Sequence, residues 1–301
     1  MKNILIAGGS GLVGSRLSEL FLEKGYSVSI LSRKKFSKGN ITGYLWNPSE
    51  NYIEAEAIQH ADSIINLAGE GIADKRWTKK RKTEIINSRV NSSETIFKAL
   101  KQHNHHVKNI VCASAIGYYS KNKNELMTEQ SKPGNDFLAS TVQRWEASNR
   151  AFEKLNLRTV IFRFGIVLSL NGGALLEMYK PLKFGIAAYF GRGNQYYSWI
   201  HIDDLCNMIM YAVENENING LYNAVSPQPE TNKNFMKILS GTREGFSIPV
   251  PVPRFAIKAI LGERASIVVD GLKVLSRKIQ NAGFAFTYPD LTNALNNLLG
   301  K

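Results

Sequence analysis

The segment that most constrains the fold is AGGSGLVG, from Ala7 to Gly14, which directly follows the apolar run NILIA. It opens an amphipathic pattern that predicts a helix over Leu12–Lys24. Gly8 permits a tight turn, Gly11 lets the backbone approach a pyrophosphate, and Gly14 lets the helix pack closely against the strand. Free N–H groups and the positive dipole end of the helix favour an anion there, although a purely structural glycine turn is the alternative. The residues predicted to bind the diphosphate of a dinucleotide are Gly8, Ser10, Gly11, Leu12, Val13 and Gly14.

Short apolar runs alternate with helical patterns through the first two-thirds of the chain. The predicted strands are NILIAG, YSVSILS, ADSIINLAG, VKNIVCAS and LRTVIFRFG, and the predicted helices are Leu12–Lys24, Thr78–Gln102 and Phe137–Leu155. Near-continuous apolar strands separated by helices are typical of a parallel sheet that is covered on both faces. The predicted class is α/β, a Rossmann-type doubly wound parallel sheet with a smaller substrate-side and C-terminal α+β region.

The end of the second strand indicates which dinucleotide to expect. Ser32, Arg33 and Lys34 follow its apolar run, and no Asp or Glu stands there. A cofactor with a free ribose 2′-OH would require an acidic residue at this place, whereas arginine accommodates a 2′-phosphate. Arg33 can make a planar, charge-assisted contact to that phosphate, and Ser32 can add a hydroxyl. NADP is therefore predicted rather than NAD, with a solvated basic loop as the alternative.

The third strand ends in Asn66, Leu67, Ala68 and Gly69. In a doubly wound sheet this strand end faces the cofactor, and its small residues let the backbone pass close to the adenine-side ribose. A simple strand end is the alternative interpretation.

The regular alternation weakens after Gly165. We expect residues 1–165 to form the NADP-binding core, with the sheet completed by parts of 195–230. Residues 166–247 are expected to supply substrate-side segments and 248–301 a small C-terminal region. A helix is predicted over Asp203–Glu214. The run IPVPVPR, with three prolines, cannot continue a helix and is interpreted as a connector, followed by two short helices, a short strand, a turn and a last helix from near Asp290.

Charge and composition restrict the partners and the compartment. The formal net charge is +13, and the cluster KRWTKKRK places six basic residues within Lys75–Lys82. A solvated basic surface is preferred over a nucleic-acid site, because the cluster lacks repeated basic–aromatic interleaving. No 18-residue apolar span or signal peptide is present, and Cys112 and Cys206 are interpreted as buried reduced thiols. A cytoplasmic protein without a metal site or a membrane partner is expected, and the oligomeric state stays open, with a homodimer as one option.

Seven further motifs carry a family resemblance, namely NLAGEGIADKRWT, SAIGYYS, RWE, RFGIVLS, NGGAL, SWIHIDDL and GLYNAVSPQP. In this order they resemble the atypical, extended short-chain dehydrogenase/reductase superfamily, in the branch called the epimerase family. The resemblance covers nearly the whole chain, and Val252–Leu299 resembles the small C-terminal domain of that branch. It implies an NADP-type site and, carried over to this sequence, points to Ser32, Arg33, Leu67, Ala68, Glu84, Arg89 and Val167. An ordinary surface ion pair is the alternative role of Arg89.

The wider superfamily uses a serine or threonine, a tyrosine and a lysine four residues after the tyrosine. The lysine lowers the pKa of the tyrosine, which then transfers a proton. In the segment DFLASTVQRWEAS the tyrosine position falls near Leu138 and the lysine position near Val142. The usual acid–base pair is therefore absent from this chain.

The remaining catalytic candidates are Ser114, at the end of VKNIVCAS, and Tyr118 and Tyr119, in SAIGYYS. A serine that caps a strand end is the alternative role of Ser114. Aromatic packing in the cleft wall is the preferred alternative for the two tyrosines, and a structural role is preferred for His201. The expected function is an NADP(H)-dependent oxidoreductase or epimerase acting on an unidentified small carbonyl compound or a substrate like a sugar nucleotide. The alternative is a catalytically inactive NADP-binding sensor or partner-binding protein.

Overall fold

The apolar runs form a large parallel sheet in the computed structural model, which describes residues 2–120, 125–243 and 245–300. The strands of the first half are β1 (Asn3–Ala7), β2 (Ser27–Ser32), β3 (Phe36–Lys38), β4 (Ile41–Asn47), β5 (Tyr52–Ile53), β6 (Ser63–Asn66), β7 (Asn109–Ala115) and β8 (Leu126–Met127). Those of the second half are β9 (Arg158–Phe164), β10 (Ile166–Leu168), β11 (Ile186–Phe190), β12 (Tyr196–Tyr197), β13 (Trp199–His201), β14 (Gly220–Ala224), β15 (Glu230–Thr231), β16 (Ile248–Val252) and β17 (Lys273–Val274).

Helices connect these strands. They are α1 (Leu12–Glu23), α2 (Ala55–Gln59), α3 (Lys79–Gln102), α4 (Phe137–Arg150), α5 (Ala174–Leu182), α6 (Ile202–Glu214), α7 (Asn232–Gly241), α8 (Arg254–Leu261), α9 (Ala265–Val269), α10 (Arg277–Asn281) and α11 (Leu291–Leu299). Short 3₁₀ turns cover Ile116–Tyr118, Ala151–Leu155 and Gly262–Arg264. The long helices predicted from periodicity thus form, and the one predicted to end at Leu155 finishes as a 3₁₀ turn.

The main sheet has the strand order β14–β9–β7–β6–β1–β2–β4–β3, with β5 paired to β4. All pairs are parallel except those of β3 and β5 with β4. The order reverses at β1, where Ala7 is in register with Leu31 of β2 on one side and Asn66 of β6 on the other. The crevice at the carboxyl ends of strands at such a reversal is where dinucleotides bind in this architecture. The predicted Rossmann-type doubly wound sheet is confirmed.

Alternate side chains of the strands enter two cores on opposite faces of the sheet. Ile4 and Ile6 pack with α1 and α6 on one face, while Leu5 and Ala7 pack with α2 and α3 on the other. This alternation is the period-two geometry of a strand, and it makes β1 apolar on both sides. Both sulfhydryl groups are buried in these cores, and burial raises the pKa of Cys112 and of Cys206.

A third core lies outside the main sheet. It joins α5, α7 and α11 through Leu175, Leu182, Phe235, Leu239 and Leu295, and it includes the fully buried Trp199 of β13. These elements, with the short sheets β10–β13, β11–β16 and β12–β15, form the predicted smaller α+β region. The boundaries at residues 165 and 247 stay predictions.

The interpretation of IPVPVPR as a connector is wrong, because Ile248–Val252 forms strand β16, parallel to β11. The amide of Ile248 donates to the carbonyl of Gly185, and the carbonyl of Val252 accepts from Gly191. Prolines at the intervening positions 249 and 251 cost this edge no hydrogen bond, because only alternate residues of a strand bond to a given neighbour.

Two further expectations for the C-terminal part are wrong. The described residues between 253 and 290 contain three short helices rather than two. The short strand expected in GFAFTY does not form, because the amides of Thr287 and Tyr288 donate to the carboxylate of Asp204 at 2.8 and 2.9 Å. The last helix begins as predicted, with Asp290 capping its N-terminus. In the part of the chain that the structure describes, no helix has the length and apolarity needed to cross a membrane.

Candidate functional site

The glycine turn between β1 and α1 leaves no room for a side chain at Gly8 or at Gly14. Gly8 has φ of +82°, and a Cβ there would lie 2.9 Å from the carbonyl carbon of Leu67. A Cβ on Gly14 would lie 2.3 Å from the carbonyl oxygen of Gly8. Gly11 donates its amide to that same oxygen at 3.0 Å and caps α1. The turn is therefore a bare backbone cradle at a helix N-terminus, which fits the diphosphate of a dinucleotide.

An open cleft of about 900 Å³ lies on one side of this turn. Ser32, Arg33 and Lys34 border it from the end of β2, and Ala68 and Gly69 border it from the end of β6. The remaining wall comes from α3, through Glu84, Asn87 and Asn91, and from the end of β4, through Trp46 and Asn47. The structure thus brings together Gly8, Ser10, Ser32, Arg33, Ala68, Gly69 and Glu84 of the predicted cofactor site.

Arg81 and Arg89 on α3 have opposite environments. Arg81 is buried and bonds to Glu70 and Glu84, each at 3.1 Å, so Glu84 is already one partner of an ion pair. Arg89 lies 5.1 Å above the ring of Trp145 and donates to the carbonyl of Ile85. Burial lowers the pKa of Arg89 to about 10. Since no carboxylate in the described segments forms an ion pair with it, Arg89 is a partly buried cation suited to a phosphate or a ribose oxygen.

The basic cluster Lys75–Lys82 is only partly a free surface. Arg81 is buried in the ion pairs above, and Lys82 forms an ion pair with Glu263 and lies 5.1 Å from the ring centroid of Phe137. The cluster therefore helps to attach the C-terminal region to the start of α3.

A second, more enclosed cavity of about 350 Å³ borders Leu12, the first residue of α1 after the glycine turn. Leu12 and Val167 of the predicted cofactor site line it, together with Arg89. Leu138, Val142 and Trp145 of α4 form one wall, and residues 266, 267 and 270–272 form the opposite one. The positions where the superfamily carries tyrosine and lysine thus face this cavity as leucine and valine.

Ser114 belongs to a buried ionic cluster rather than to the cavity wall. Its hydroxyl donates to Oε1 of Glu146 at 2.6 Å, and the side chain is 2% exposed. Arg163 holds the same carboxylate with two hydrogen bonds, from Nε at 2.7 Å and from Nη2 at 2.8 Å. The two hydrogen bonds make this a bidentate, fork-to-fork ion pair, which is the strongest kind, and both side chains are almost fully buried. Ser114 would have to leave Glu146 before it could bond to a substrate, so the arrangement favours a structural role.

The two tyrosines pack against this cluster. The guanidinium of Arg163 lies 3.4 Å from the ring centroid of Tyr118 and 4.8 Å from that of Tyr119. Tyr119 reaches the cavity wall, but its hydroxyl donates to Oδ1 of Asn223 at 2.5 Å. Burial raises the pKa of Tyr119 to about 12, against the opposing effect of Arg163. This phenol therefore keeps its proton near neutral pH and cannot act there as the base of a Tyr–Lys pair.

His201 has a structural place, in agreement with the preferred interpretation. Its Nδ1 accepts the amide of Asp203 and caps α6, and its Nε2 donates to Oδ1 of Asn297 at 3.2 Å. The ring stacks on Tyr288 and lies outside both the cleft and the cavity. The imidazole is thus neutral, and burial lowers the pKa of His201.

A pH-dependent loss of stability follows from His201. Because its pKa is lowered in the folded protein, only the unfolded chain binds this proton as the pH falls below about 6.5. The free energy of unfolding of the wild type should then decrease more steeply than that of His201→Asn, by at most about 1.4 kcal/mol per pH unit. Asparagine keeps a capping side chain. Urea titrations of both proteins between pH 7.5 and 5 test this, and parallel curves would contradict it.

Several groups of the site are not among the residues predicted from the sequence. Glu146 and Asn223 position Ser114 and Tyr119, and Trp145 lines the cavity. One signal was readable, because Arg163 interrupts the apolar strand LRTVIFRFG, and a buried arginine requires a partner.

Comparisons with known proteins agree with this geometry. Residues 4–224 match the family described as the NAD dependent epimerase/dehydratase family. The chain belongs to this family. Residues 252–298 also match a domain of unknown function, DUF1731.

The epimerase-family chain resembles its relatives over its full length. It is 36% identical to the epimerase family protein YfhF of Bacillus subtilis, covering 99% of this chain and 98% of that protein. It is 37% identical over both full lengths to the epimerase family protein SAR0825 of Staphylococcus aureus.

Two solved structures resemble this chain. The human epimerase family protein SDR39U1, crystallised with NADPH, is 28% identical with a TM-score of 0.88 over 99% of both chains. A nucleoside-diphosphate sugar epimerase from Corynebacterium glutamicum is 27% identical with a TM-score of 0.80, over 99% of this chain and 58% of that one. This chain is thus an NAD(P)-binding protein of the epimerase family with a Rossmann-like fold.

Proposed function

We propose that this protein binds NADP(H) and acts as an oxidoreductase on a small ligand held in the enclosed cavity. The observation that carries the proposal is that the glycine segment borders both pockets, the open cleft through Gly8 and Ser10 and the enclosed cavity through Leu12. A dinucleotide laid over that turn has its two ends on opposite sides of it. The similarity to human SDR39U1, whose structure contains NADPH, supports the choice of cofactor.

The residues present fit this cofactor. Gly8, Gly11 and Gly14 would hold the diphosphate, Ser32 and Arg33 the 2′-phosphate, and the unpaired Arg89 an oxygen of the phosphate or ribose. When bound, the nicotinamide supplies or accepts a hydride. Leu12 and Val167 would pack against that end, and the apolar cavity wall would exclude water from it.

Arg33 should set the preference for the phosphorylated cofactor. NADPH is expected to bind more tightly than NADH, because the end of β2 offers Ser32, Arg33 and Lys34 and no carboxylate. Arg33→Ala is expected to weaken NADPH binding by about ten- to a hundredfold, since a charge-assisted hydrogen bond is lost, and to change NADH binding by less than about twofold. Calorimetric titration of both cofactors measures the two constants.

Arg150→Ala is the matched control for Arg33→Ala. Arg150 is also an exposed arginine, at the end of α4, and borders neither the cleft nor the cavity. Its variant should bind both cofactors like the wild type. Equal affinity of the wild type for NADPH and NADH would overturn the proposed cofactor preference.

A second function, an NADP(H)-binding sensor without turnover, is favoured by one specific observation. Leu138 and Val142 occupy the acid–base positions, and the hydroxyls of Ser114 and Tyr119 are bonded to Glu146 and Asn223. NADPH consumption over a panel of carbonyl compounds separates the two functions. Turnover with any member supports the oxidoreductase, and tight NADPH binding with no turnover across the panel favours the sensor.

A further inference from the structure

We propose that the protein binds the surface of anionic lipid bilayers through four apolar side chains at, and just before, the start of strands β11 and β16. They are Phe184, Ile186, Phe246 and Ile248, together called the strand-pair patch, and their exposed fractions are 85%, 41%, 83% and 56%. An exposed apolar patch of this kind marks an interaction surface. The residues that line the cofactor cleft and the enclosed cavity do not include these four, so the proposal is independent of the proposed function.

The two strands hold the strand-pair patch together. Ile186 is in register with Ile248, and the amide of Ile248 donates to the carbonyl of Gly185 at 2.8 Å. Gly185 also lies beside Phe246, whose carbonyl oxygen is 3.3 Å from the place that a Cβ of Gly185 would take. Phe184 precedes Gly185 in the chain, so both phenylalanines leave the backbone at the same corner of the two strands. The four side chains therefore form one surface.

The opposite end of the two strands is covered by the chain itself. Phe190 and Val252 pack there against the small core of α8 and α9. They lie four residues after Ile186 and Ile248, and so on the same face of the strands. None of the apolar cores formed by the described residues includes Ile186 or Ile248. The chain thus covers one half of this face and leaves the other half, the strand-pair patch, open to a partner.

The segments around the strand-pair patch are strongly basic. Residues 174–195 and 232–261, which include both strands and the helices α5, α7 and α8, contain eight Lys and Arg residues and two Glu residues. Of the two glutamates, Glu177 is paired with Lys180, and Glu244 lies outside the described residues. These two segments therefore supply a large part of the formal net charge of +13.

Three of these cations lie close to the strand-pair patch. Lys183 directly precedes Phe184 and is exposed. The guanidinium of Arg243 donates to the carbonyl of Phe246 at 3.1 Å, and the exposed Lys237 borders the groove between α7 and β16. No carboxylate of the described residues forms an ion pair with any of the three. Attraction to anionic headgroups therefore acts at the same place as the apolar contact.

Charge and shape favour a bilayer over another protein. Two copies that met at the strand-pair patch would place two basic surfaces against each other, which Coulomb repulsion opposes. Pro249 and Pro251 lie between the positions of β16 that bond to β11, so its outer edge lacks the N–H groups that strand addition needs. Phe184 and Phe246 protrude, because most of their surface is exposed. A bilayer interface accepts protruding apolar side chains, and its anionic headgroups attract the basic border.

Surface binding of this kind needs no segment that crosses the membrane. The expectation of a protein without a membrane partner rested on the absence of an 18-residue apolar span in the sequence. The strand-pair patch is assembled from two strands that are far apart in the chain, so it does not show as an apolar run. Only the phenylalanine and isoleucine side chains would enter the headgroup region.

Co-sedimentation of the full-length protein with vesicles tests the proposal. Vesicles of phosphatidylcholine with about 30% phosphatidylserine are compared with vesicles of phosphatidylcholine alone. We expect the protein to sediment with the anionic vesicles. This binding should fall by at least about fivefold between about 0.1 M and about 0.5 M NaCl, because salt screens the attraction to the headgroups. Absence of binding to the anionic vesicles, or equal binding to both kinds, overturns the proposal.

Phe184→Ser combined with Phe246→Ser locates the binding. We expect this variant to bind the anionic vesicles at least about tenfold more weakly, because two apolar side chains no longer enter the interface. The control Leu126→Ser changes a half-exposed leucine on β8, outside the strand-pair patch, and should bind like the wild type. Both variants should keep the melting temperature of the wild type, since the replaced side chains are exposed. Wild-type binding in the double variant refutes the location.

Lys183→Gln combined with Lys237→Gln tests the basic border. Binding to the anionic vesicles should weaken by at least about threefold, since two attractions to headgroups are lost. The control Lys101→Gln combined with Lys108→Gln removes two exposed lysines elsewhere and should bind like the wild type. Equal losses in the two pairs would show that the net charge of the whole chain drives the binding, and would overturn the role of this surface.

Sedimentation velocity identifies a second copy as the occupant of the strand-pair patch. Self-association of the wild type that is lost in the Phe184→Ser, Phe246→Ser variant, without any binding to vesicles, assigns the patch to a contact between copies and overturns the proposal. A monomer that binds the anionic vesicles supports it.

Discussion

Replacing Gly14 with alanine is expected to abolish tight NADPH binding. The new methyl group would lie 2.3 Å from the carbonyl oxygen of Gly8 and 2.7 Å from the Cα of Gly9, both backbone atoms of the cradle. Helix propensity would favour alanine by about 1 kcal/mol, but a backbone overlap of this size forces α1 away from the turn. We expect the affinity for NADPH to fall by at least about tenfold and the free energy of unfolding by about 1–3 kcal/mol.

Gly241→Ala is the control for this substitution. Like Gly14, Gly241 lies in a helix, as the last residue of α7. A Cβ there would meet no atom within 4 Å. It should bind NADPH like the wild type and keep or slightly gain stability. Calorimetric binding and urea unfolding measure both quantities. Wild-type affinity in Gly14→Ala would contradict the close packing of α1 against the turn.

Removing the carboxylate of Glu146 is expected to lower the free energy of unfolding by more than Gly14→Ala does. Glu146→Ala leaves Arg163 buried, at 1% exposure, without its counter-charge, and also deprives Ser114 of its acceptor. Breaking a buried ion pair from one side costs about 3–5 kcal/mol, because the remaining charge is uncompensated. The free energy of unfolding from urea titration should fall by this amount.

Two controls separate this cost from loss of packing. Glu177→Ala breaks the exposed pair with Lys180 and should cost no more than about 1 kcal/mol. Glu146→Met combined with Arg163→Met should be more stable than Glu146→Met alone, since the double variant buries no lone charge. A small loss in Glu146→Ala, comparable with that of Glu177→Ala, would show that Arg163 finds solvent or another partner.

Much of the core was predictable because its signals are local. The apolar runs of β1, β2, β6, β7 and β9 and the glycine turn are each encoded within a few neighbouring residues. A doubly wound sheet is the usual arrangement of parallel strands that are joined by helices.

The missed features depend on residues far apart in the chain. The carboxylate of Asp204 accepts hydrogen bonds from the amides of Thr287 and Tyr288, and these amides are then not available for the strand predicted there. The prediction that Ser114 lies at the carboxyl end of its strand was correct. Its hydrogen bond to Glu146, 32 residues later, is not visible in a local pattern. Side-chain partners of this kind decide whether a hydroxyl is available for chemistry, so the fold was easier to predict than the reaction.

The open cleft and the enclosed cavity share the N-terminal part of the chain but differ in the segments that complete them. All the residues that border the cofactor cleft lie between Gly8 and Asn91, whereas the enclosed cavity is completed only by residues 266–272, which the C-terminal region contributes. Mutations in that late segment can remodel the choice of ligand while leaving the cofactor cleft intact.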